Sequence, residues 1–311
     1  MRCLITGVGG FLGGHLAESL ASASWDVHGI SRTAPPFLEA VGVSSHTCDI
    51  RDRDVVVRLL ADVRPDVVYH LAAQSSPGLS WSEPAATFDV NVIGSVNLLE
   101  AVRAAQLDPV ILSFGSSAEY GSSSEPIRED HPREGLTPYA VSKLAQDQLG
   151  VLYHRMYGTR IVRVRPFYII GPRKTGDVTS DLARGVVAVE RGERETVSAG
   201  NLEVVRDLLD VGDAVSAFRV IAEKGRPGEA YNVCSGQGYP LKALAAGLAQ
   251  LAKKPIRISS DANRVRAFDE PVRIGDNTRL RSLGWAPRVR LEESLASVLD
   301  FWRLEPPRLS G

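Results

Sequence analysis

Short apolar runs alternate with helical patterns through the first half of the chain. The apolar run at residues 3–5 predicts a strand, and apolar residues at helical spacing over residues 11–23 predict the helix that follows it. The same alternation predicts strands at residues 27–30, 45–48, 67–71, 110–113 and 159–164, and helices at residues 52–61 and 83–105. Strands and helices in this order form a doubly wound parallel sheet, the α/β class.

The later chain continues the pattern less regularly. A helix at residues 211–222 and a strand at residues 230–234 are expected to return to the sheet. Helices at residues 241–251 and 291–302 are expected to cover the carboxyl ends of the strands. The pattern therefore predicts a first domain at residues 1–166, rejoined by segments near 205–234. A second, smaller α/β domain, at residues 167–311, would bind the substrate, and Pro306-Pro307 would begin a loose tail.

A glycine cluster follows the first strand. Gly7, Gly10 and Gly13 are spaced G-x-x-G-x-x-G, where the simplest dinucleotide fingerprint reads G-x-G-x-x-G. Backbone N–H groups at the start of the next helix, together with its dipole, would bind a pyrophosphate there. A tight strand-to-helix connection is the alternative. The alternation that follows favours a dinucleotide site and a Rossmann-type sheet.

The ends of the second and third strands bear on the choice of cofactor. The second strand ends in Ser31-Arg32, where an NAD site would place a carboxylate on the ribose. A guanidinium and a hydroxyl suit a 2′-phosphate, so NADP(H) is predicted over NAD(H), with a solvated surface arginine as the alternative. Asp49 would either contact the adenine amino group or cap the next helix.

Two further features bear on the cofactor and reaction sites: small residues after the fourth strand and an asparagine in the helix that follows it. Ala72 and Ala73 follow the fourth strand, and small residues there let a cofactor lie against the backbone. Asn91 lies within the helix predicted at residues 83–105. An asparagine in a helix is usually on the surface. The alternative is that Asn91 binds backbone near the reaction site.

The strongest chemical pattern joins a serine loop to a helix. Ser116 follows the fifth strand in a serine-rich stretch, and a helix then opens near Pro138. Tyr139 and Lys143 are four residues apart, so they share one face of that helix. A nearby ammonium and an oxidised nicotinamide would lower the pKa of the phenol, and Ser116 would hold a carbonyl oxygen while Tyr139 transfers the proton. Without the glycine turn, this spacing would indicate only an exposed helix face.

Composition narrows the class of protein. The chain has 311 residues, 44% of them apolar, and a net charge of −1. Without a basic excess, neither nucleic acid nor a membrane surface is an expected partner. No signal peptide or membrane-spanning run is expected, and Cys3, Cys48 and Cys234 lack metal-ligand spacing. A soluble cytoplasmic protein with reduced thiols and no metal is predicted.

Taken together, these motifs resemble the extended short-chain dehydrogenase/reductase family, which includes nucleotide-sugar epimerases, dehydratases and reductases. The matching segments are Thr6 to Gly13, His70 to Ala73, Ser116 with Tyr120-Gly121, Tyr139 with Lys143, and Arg165-Pro166-Phe167. The resemblance implies that Ser116, Tyr139 and Lys143 are catalytic. It also implies that NADP(H) contacts Gly7, Gly10, Phe11, Leu12, Gly13, Ser31, Arg32, Asp49, Ile50, Leu71, Ala72, Ala73, Tyr139 and Lys143.

The second half resembles the branch of this family that acts on GDP-linked 6-deoxyhexoses. The resemblance is carried by residues 170–173, 178–181, 200–207, 231–236 and 266–285. It implies a GDP-sugar substrate bound by Ser117, Ala118, Glu119, Tyr168, Arg173, Val178, Asn201, Arg206, Arg266 and Asp269. Arg206 and Arg266 would be guanidinium forks for the diphosphate. Surface arginines or ion pairs with Asp207 or Asp269 are the alternative.

The same resemblance separates two activities of that branch. Its dehydratases carry an acid/base carboxylate two residues before the Tyr of Tyr-Gly, and that position here is Ala118. NADPH-dependent reduction of a 4-keto group is therefore expected, although a one-residue bulge would place Glu119 there. A 4,6-dehydratase, a 4-epimerase and a non-catalytic NADP-binding regulator are the alternatives.

Tyr168 and Ala267 depart from the Asn and Pro common among relatives. Helices that include residues 100–106 and 146–153 pair in the homodimers of relatives, so a homodimer is expected.

Overall fold

Strands and helices alternate along the part of the chain that the computed structural model describes, residues 1–33, 35–261 and 270–305. The strands are β1 Arg2–Thr6, β2 Asp26–Ser31, β3 Ser44–Thr47, β4 Val67–His70, β5 Val110–Phe114, β6 Ile161–Pro166, β7 Tyr168–Ile170, β8 Val197–Ala199, β9 Val205–Asp210, β10 Ala230–Val233, β11 Gly238–Pro240, β12 Ile258–Ser260 and β13 Val272–Arg273. The helices are α1 Phe11–Ser22, α2 Pro36–Ala40, α3 Arg53–Val63, α4 Leu79–Ser82, α5 Pro84–Phe88, α6 Gly94–Ala104, α7 Pro138–Tyr157, α8 Val178–Glu190, α9 Val211–Lys224, α10 Leu241–Gln250, α11 Thr278–Arg281 and α12 Leu291–Leu304.

The central sheet has the order β10-β6-β5-β4-β1-β2-β3 in the described residues, and each neighbouring pair is parallel. The predicted α/β class with a Rossmann-type sheet is confirmed. The strand order reverses between β1 and β4, and ligands of such sheets bind beyond the carboxyl ends of the strands at this reversal. The serine loop and the glycine turn both follow strands at this edge.

Successive residues of β1 face opposite cores. Cys3 and Ile5 pack in the cluster that includes residues of α1 and α9, and Leu4 packs in the cluster that includes residues of α3 and α6. This alternation is the consequence of the two-residue period of a strand. Because helices cover both faces, the middle of the strand must be apolar, as Cys3, Leu4 and Ile5 are.

A smaller layer follows the central sheet in the chain. β9 pairs with β7 and β13 in parallel and with β11 antiparallel, and β8 pairs with β12. Apolar side chains of α8, α10 and α12 form one core cluster with side chains of this layer. As expected, β10 pairs with β6 of the central sheet. The division of the chain into domains near residue 166 stays a prediction, and the predicted tail at Pro306 lies outside the described residues.

The segment predicted as one long helix at residues 83–105 is helical, but it is not regular α-helix throughout. The segment consists of α5, a π-helical turn at Asp89–Ile93, and α6. A π-helical turn accommodates an extra residue in a helix and often lies at a functional site. Here it contains Asn91, whose side chain is fully buried. The periodicity of apolar residues gives no sign of a one-residue insertion, so the break could not be predicted.

Helix ends near the site follow their sequence signals. Thr137 caps α7 by accepting a hydrogen bond from the backbone N–H of Ala140, Pro138 is the first residue, and Gly158 ends the helix at φ 70°. Asp52 caps α3 by accepting from the backbone N–H of Val55. Asp49 is therefore not the helix cap, and that alternative is wrong. Within the described residues, no helix has the length and apolar character to cross a membrane.

Candidate active site

The glycine turn brings three backbone segments into close contact. Gly7 has φ +73°, and a Cβ on it would lie 2.8 Å from the backbone nitrogen of Ala72. A Cβ on Gly13 would collide with the carbonyl oxygen of Gly7. Gly10 precedes α1, and no side chain in the described part of the chain caps this helix. Phe11 and Leu12 begin the helix, so its first N–H groups face a surface without side chains, which fits a dinucleotide pyrophosphate.

A buried polar chain holds the loop after β4 against this turn. Oγ1 of Thr6 lies 2.8 Å from Nδ1 of His70, and Nε2 of His70 lies 2.8 Å from Oγ of Ser95. The same Thr6 hydroxyl accepts a hydrogen bond from the backbone N–H of Ala72 at 3.0 Å. Burial lowers the pKa of His70 to about 3, so the ring is neutral. Leu71, Ala72 and Ala73 are thus fixed beside Gly7 and half-buried.

The end of β2 lies beside the loop after β3. Ser31 ends β2, and the side chain of Arg32 is exposed. The charge of Arg32 contributes to lowering the pKa of Asp49, although the hydrogen bond from Arg51 contributes most. Arg51 donates from Nη2 to Asp49 at 2.8 Å and pairs with Asp89 at 3.1 Å. Ile50 is buried in the core. No motif or spacing pointed to Arg51, a second guanidinium at this corner.

Ser116, Tyr139 and Lys143 meet where β5 ends and α7 begins. A hydrogen bond joins the side chains of Ser116 and Tyr139. Nζ of Lys143 donates to the carbonyl oxygen of Phe114 at 2.9 Å and to Oε1 of Gln146 at 2.9 Å. Tyr139 is 8% exposed and Lys143 is 3% exposed. The structure thus brings the three predicted side chains together.

The pKa values of these groups differ from the sequence-based expectation. Burial raises the pKa of Tyr139 to about 12, and the hydrogen bond with Ser116 opposes that rise. Burial lowers the pKa of Lys143 to about 8, while the charge of Glu119 opposes that change. In the chain alone, desolvation outweighs the neighbouring charges. The expected lowering of the Tyr139 pKa is therefore wrong for the protein without cofactor.

Asn91 supports the catalytic helix from the π-helical turn. Its Oδ1 accepts from the backbone N–H of Gln74 at 2.7 Å, and its Nδ2 donates to the carbonyl oxygen of Gln74 at 3.1 Å. Nδ2 also donates to Oγ of Ser142 on α7 at 2.9 Å. The alternative in which Asn91 binds backbone near the reaction site is confirmed. Asn91 ties the loop after β4 to the residue that precedes Lys143.

A buried charge network lies beneath the serine loop. Arg165 donates to Asp147 from Nε at 3.1 Å and from Nη2 at 3.0 Å, and to the hydroxyl of Tyr120 at 2.7 Å. Arg133 and Arg163 donate to the same Asp147 carboxylate at 2.6 Å and 2.9 Å. The guanidinium charges hold the pKa of Asp147 below its usual range although burial opposes this. No sequence pattern singles out Asp147.

Glu119 belongs to this network and does not reach the substrate side. Its side chain is 0% exposed, and its Oε1 accepts from the backbone N–H of Ser116 at 2.7 Å. Its Oε2 lies 3.6 Å from Nε of Arg165. The prediction that Glu119 contacts the substrate is wrong, because the 3-10 turn at Ser117–Glu119 directs this side chain into the core. Ala118, one residue earlier, is half-buried.

The residues predicted to bind substrate lie on several later elements. Tyr168 begins β7 with Nζ of Lys174 4.3 Å from its ring centre, and Val178 begins α8. Arg173 donates two hydrogen bonds of 2.6 Å to Glu18 on α1. Their contacts with substrate stay predictions. Ser117 is buried, and Asn201 accepts a hydrogen bond from the backbone N–H of Glu203. Arg206 donates to the carbonyl oxygens of Val205 and Glu270. The predictions for Arg266, Ala267 and Asp269 lie outside the described residues.

Arg273 is a further arginine at the serine loop. Its guanidinium pairs with Glu270, and its Nη1 donates to the carbonyl oxygen of Ser117. The carboxylate of Asp207 also accepts hydrogen bonds from the backbone N–H groups of Gly236 at 2.9 Å and Gly275 at 3.1 Å. These contacts join the late chain to the loop that carries Ser116. Neither was predicted, because both depend on tertiary pairing of β13 with β9.

The glycine turn suits a bound dinucleotide, and Ser116, Tyr139 and Lys143 lie at the same edge of the sheet. Together these features define an NAD(P)-dependent oxidoreductase. Residues 4–298 match the sequence model of the family described as GDP-mannose 4,6 dehydratase. The chain belongs to this family, within the extended short-chain dehydrogenases/reductases. The predicted family and enzyme class are confirmed.

Three relatives illustrate the range of the family. GDP-6-deoxy-D-mannose reductase of Pseudomonas aeruginosa is 34% identical over 310 residues, which cover 97% of each protein. The structure of RMD from Pseudomonas aeruginosa complexed with NADPH has a TM-score of 0.84 and 31% identity, covering 97% of this chain and 98% of the other. The UDP-glucose 4-epimerase of Thermus thermophilus, in complex with NAD, has a TM-score of 0.88 and 29% identity, covering 98% and 99%.

Proposed function

We propose that this protein reduces the 4-keto group of a GDP-linked 4-keto-6-deoxyhexose with NADPH, giving a GDP-6-deoxy-D-mannose (GDP-rhamnose) type product. One observation carries the proposal: Ser116 and Tyr139 are hydrogen-bonded beside Lys143, while the nearest candidate carboxylate, Glu119, is turned into the core. This arrangement keeps the groups that a carbonyl reduction needs. It provides no carboxylate at position 118 for the elimination that a dehydratase performs.

Each of the three side chains has a distinct task in this reaction. The hydroxyl groups of Ser116 and Tyr139 would donate hydrogen bonds to the ketone oxygen, which polarises the carbonyl. Tyr139 would then donate its proton to that oxygen. Lys143, as an ammonium, would hold the nicotinamide ribose and stabilise the phenolate left on Tyr139. NADPH, when bound, supplies the hydride.

The cofactor preference rests on the two ends of the dinucleotide site. The uncapped start of α1 beyond Gly10 suits the pyrophosphate, and the exposed Arg32 suits a 2′-phosphate. One relative binds NADPH and another binds NAD. We therefore propose NADP(H) as the preferred cofactor, with NAD(H) as a weaker substitute.

The nucleotide-sugar substrate would lie between the serine loop and the later elements. We propose that residues after 167 mainly bind the GDP-sugar, with Tyr168, Arg206 and Ser117 among the contacts. Support comes from the GDP-sugar reductase that is 34% identical. Arg206 lies on β9, which pairs with both β7 and β13, and its Nη1 donates to the carbonyl oxygen of Glu270.

A GDP-mannose 4,6-dehydratase is the second candidate, because the matching family model carries that description. A nucleotide-sugar 4-epimerase would use the same three side chains. The reaction without added ketone separates the dehydratase from the other two activities. Only the dehydratase would form a 4-keto product from GDP-mannose and oxidised cofactor.

The decisive test measures NADPH oxidation with a panel of 4-keto-6-deoxy sugars linked to GDP, dTDP and UDP. We expect the GDP-linked ketone to be reduced fastest. Tyr139→Phe should lower kcat about 10²- to 10⁴-fold and leave NADPH binding within about threefold, because only proton transfer is lost. Formation of a 4-keto product from GDP-mannose, or unchanged turnover in Tyr139→Phe, would contradict the proposal.

We further propose a homodimer built on the outer faces of α6 and α7. Large apolar side chains are exposed on or beside these helices, including Ile93, Leu152, Met156 and Tyr157. Such a concentration on neighbouring helices is typical of a buried contact. Light scattering should give twice the mass of one chain, and Met156→Glu with Leu152→Glu should give monomers. A wild-type monomer at micromolar concentration would disprove this contact.

A further inference from the structure

Glu119 is a buried carboxylate attached directly to the loop that carries Ser116. Its Oε1 accepts the backbone N–H of Ser116 at 2.7 Å, and Oγ of Ser116 accepts the backbone N–H of Ala118 at 3.1 Å. The two residues therefore cap each other across the 3-10 turn. Because Oγ of Ser116 also hydrogen-bonds Tyr139, a shift of this backbone would move the hydroxyl that faces the phenol.

Gly115 makes room for this carboxylate. A Cβ at Gly115 would collide with Oε1 of Glu119 and would lie 3.2 Å from its Cδ. Among the described residues, the three heavy atoms nearest to that position all belong to Glu119. The absence of a side chain at 115 is thus matched to the carboxylate at 119. A residue larger than glycine would push Oε1 away from the N–H of Ser116.

Several charged groups face Glu119 from two elements. Arg165 on β6 lies 3.6 Å from its Oε2, and α7 presents Asp147, Lys143 and Tyr139. Tyr120 follows it in the chain and also feels its charge. Behind Asp147 lie Arg133 and Arg163. Of these groups, Arg165 and Lys143 favour the ionised form of Glu119, whereas Asp147 opposes it.

One oxygen of Glu119 is left without a hydrogen bond. Among the described residues, Oε2 is buried and has no hydrogen-bond donor. An unsatisfied buried oxygen is costly and calls for a compensating role. Burial and the neighbouring Asp147 raise the pKa of Glu119 above its usual range, while Arg165 and Lys143 oppose that rise. The carboxylate is therefore held in a position that packing alone would not favour.

We propose that Glu119 is a positioning residue for the reaction. Its Oε1 fixes the backbone, and thereby the hydroxyl, of Ser116. The proposal rests on the proposed function in so far as Ser116 takes part in the reduction. Glu119 touches neither substrate nor cofactor, because it is fully buried.

Two variants test whether the oxygen of Glu119 holds Ser116. Glu119→Gln keeps an oxygen for the N–H of Ser116. Gly115→Ala displaces that oxygen. We expect Glu119→Gln to keep kcat within about threefold of the wild type. We expect Gly115→Ala to lower kcat roughly tenfold.

A matched control is Asp213→Asn. Asp213 is also a buried carboxylate that accepts backbone N–H groups, those of Arg288 at 2.8 Å and Val289 at 2.9 Å, and its pKa is also raised by burial. It lies on α9, outside the proposed machinery. We expect Asp213→Asn to change thermal stability only, with kcat and the pH profile of the wild type.

Amide hydrogen exchange tests the contact without any substrate. The N–H of Ser116 should exchange faster in Gly115→Ala than in the wild type and should stay protected in Glu119→Gln. This result holds or fails even if no 4-keto sugar is turned over, so a failure of the proposed function is distinguished from a failure of this inference. If Gly115→Ala does not bind NADPH, Glu119→Met replaces it and should show the same lower kcat and the same faster exchange. A kcat of Gly115→Ala equal to that of the wild type, or unchanged exchange in Gly115→Ala, overturns the proposal.

Discussion

The amide oxygen of Gln146 lies 2.9 Å from Nζ of Lys143, one turn further along α7. Gln146 is 1% exposed, so this hydrogen bond is shielded from water. It stabilises the ammonium form of Lys143, whose pKa burial otherwise lowers to about 8. A neutral acceptor does this without adding a further buried carboxylate beside Glu119 and Asp147.

Removal of that acceptor is expected to move the pH profile. In Gln146→Met, Lys143 loses a hydrogen bond to its charged form, worth about 1.5–3 kcal/mol, so its pKa should fall by about one to two units. The alkaline limb of kcat should move to lower pH by the same amount. Gln148→Met, a change on the exposed face of the same helix, is the control. An unmoved limb in Gln146→Met would show that this amide does not act on Lys143.

The choice of cofactor is expected to depend on Arg32. Arg32→Ser removes the guanidinium that would bind the 2′-phosphate, so Kd for NADPH should rise about 10- to 100-fold while Kd for NADH changes little. Calorimetric titration with each cofactor measures both. Arg58→Ser removes an exposed arginine from α3 and should change neither. Equal losses for NADPH and NADH would instead assign Arg32 a structural part.

The buried charge network makes Asp147 a sensitive position. Asp147→Asn leaves Arg133, Arg163 and Arg165 without their shared carboxylate, and the free energy of unfolding should fall by about 3–5 kcal/mol. Urea unfolding at neutral pH measures the loss. Asp130→Asn, which breaks a pair with Arg128 whose side chains are 68% and 70% exposed, should cost less than about 0.5 kcal/mol. Comparable losses in the two variants would argue against a buried network.

His70 is expected to weaken the fold in mild acid. Its pKa is about 3 in the folded chain, whereas an unfolded histidine titrates near 6.5, so the unfolded state binds more protons between these values. The free energy of unfolding should therefore fall as pH falls below about 6.5, by roughly 1.4 kcal/mol per pH unit from this group.

The matching variant is His70→Gln, which keeps a donor and an acceptor between Thr6 and Ser95. Between pH 6.5 and 5.5 its stability should fall by about 1 kcal/mol less than that of the wild type. Unfolding curves in urea at both pH values give the difference. Parallel pH dependence in the two proteins would mean that the ring is not held neutral.

The parts of the fold that could be predicted are those with a local signal. Glycine spacing located the turn around Gly7, and the threonine-proline start located α7, which then placed Tyr139 and Lys143 on one face. The parallel sheet of the α/β class followed from the alternation of strands and helices. These features depend on neighbouring residues only, so one sequence contains them.

The features that could not be predicted depend on distant pairs. The π-helical turn is set by Asn91 binding Gln74 and Ser142, and no periodicity records it. The direction of Glu119 depends on Arg165, which is 46 residues away in sequence (165 − 119). The pKa of Tyr139 was predicted with the wrong sign for the chain alone, because burial cannot be estimated from spacing.

β10, the strand that completes the central sheet beside β6, is synthesised late. β10 pairs Ala230 with Arg163 and Val233 with Pro166, so the strand that completes the sheet leaves the ribosome more than sixty residues after its neighbour. Until then β6 presents a bare row of N–H and C=O groups, a template for pairing with another chain. The nascent protein is therefore most exposed to aggregation in the interval between the synthesis of these two strands, and a chaperone that binds extended chain would act there.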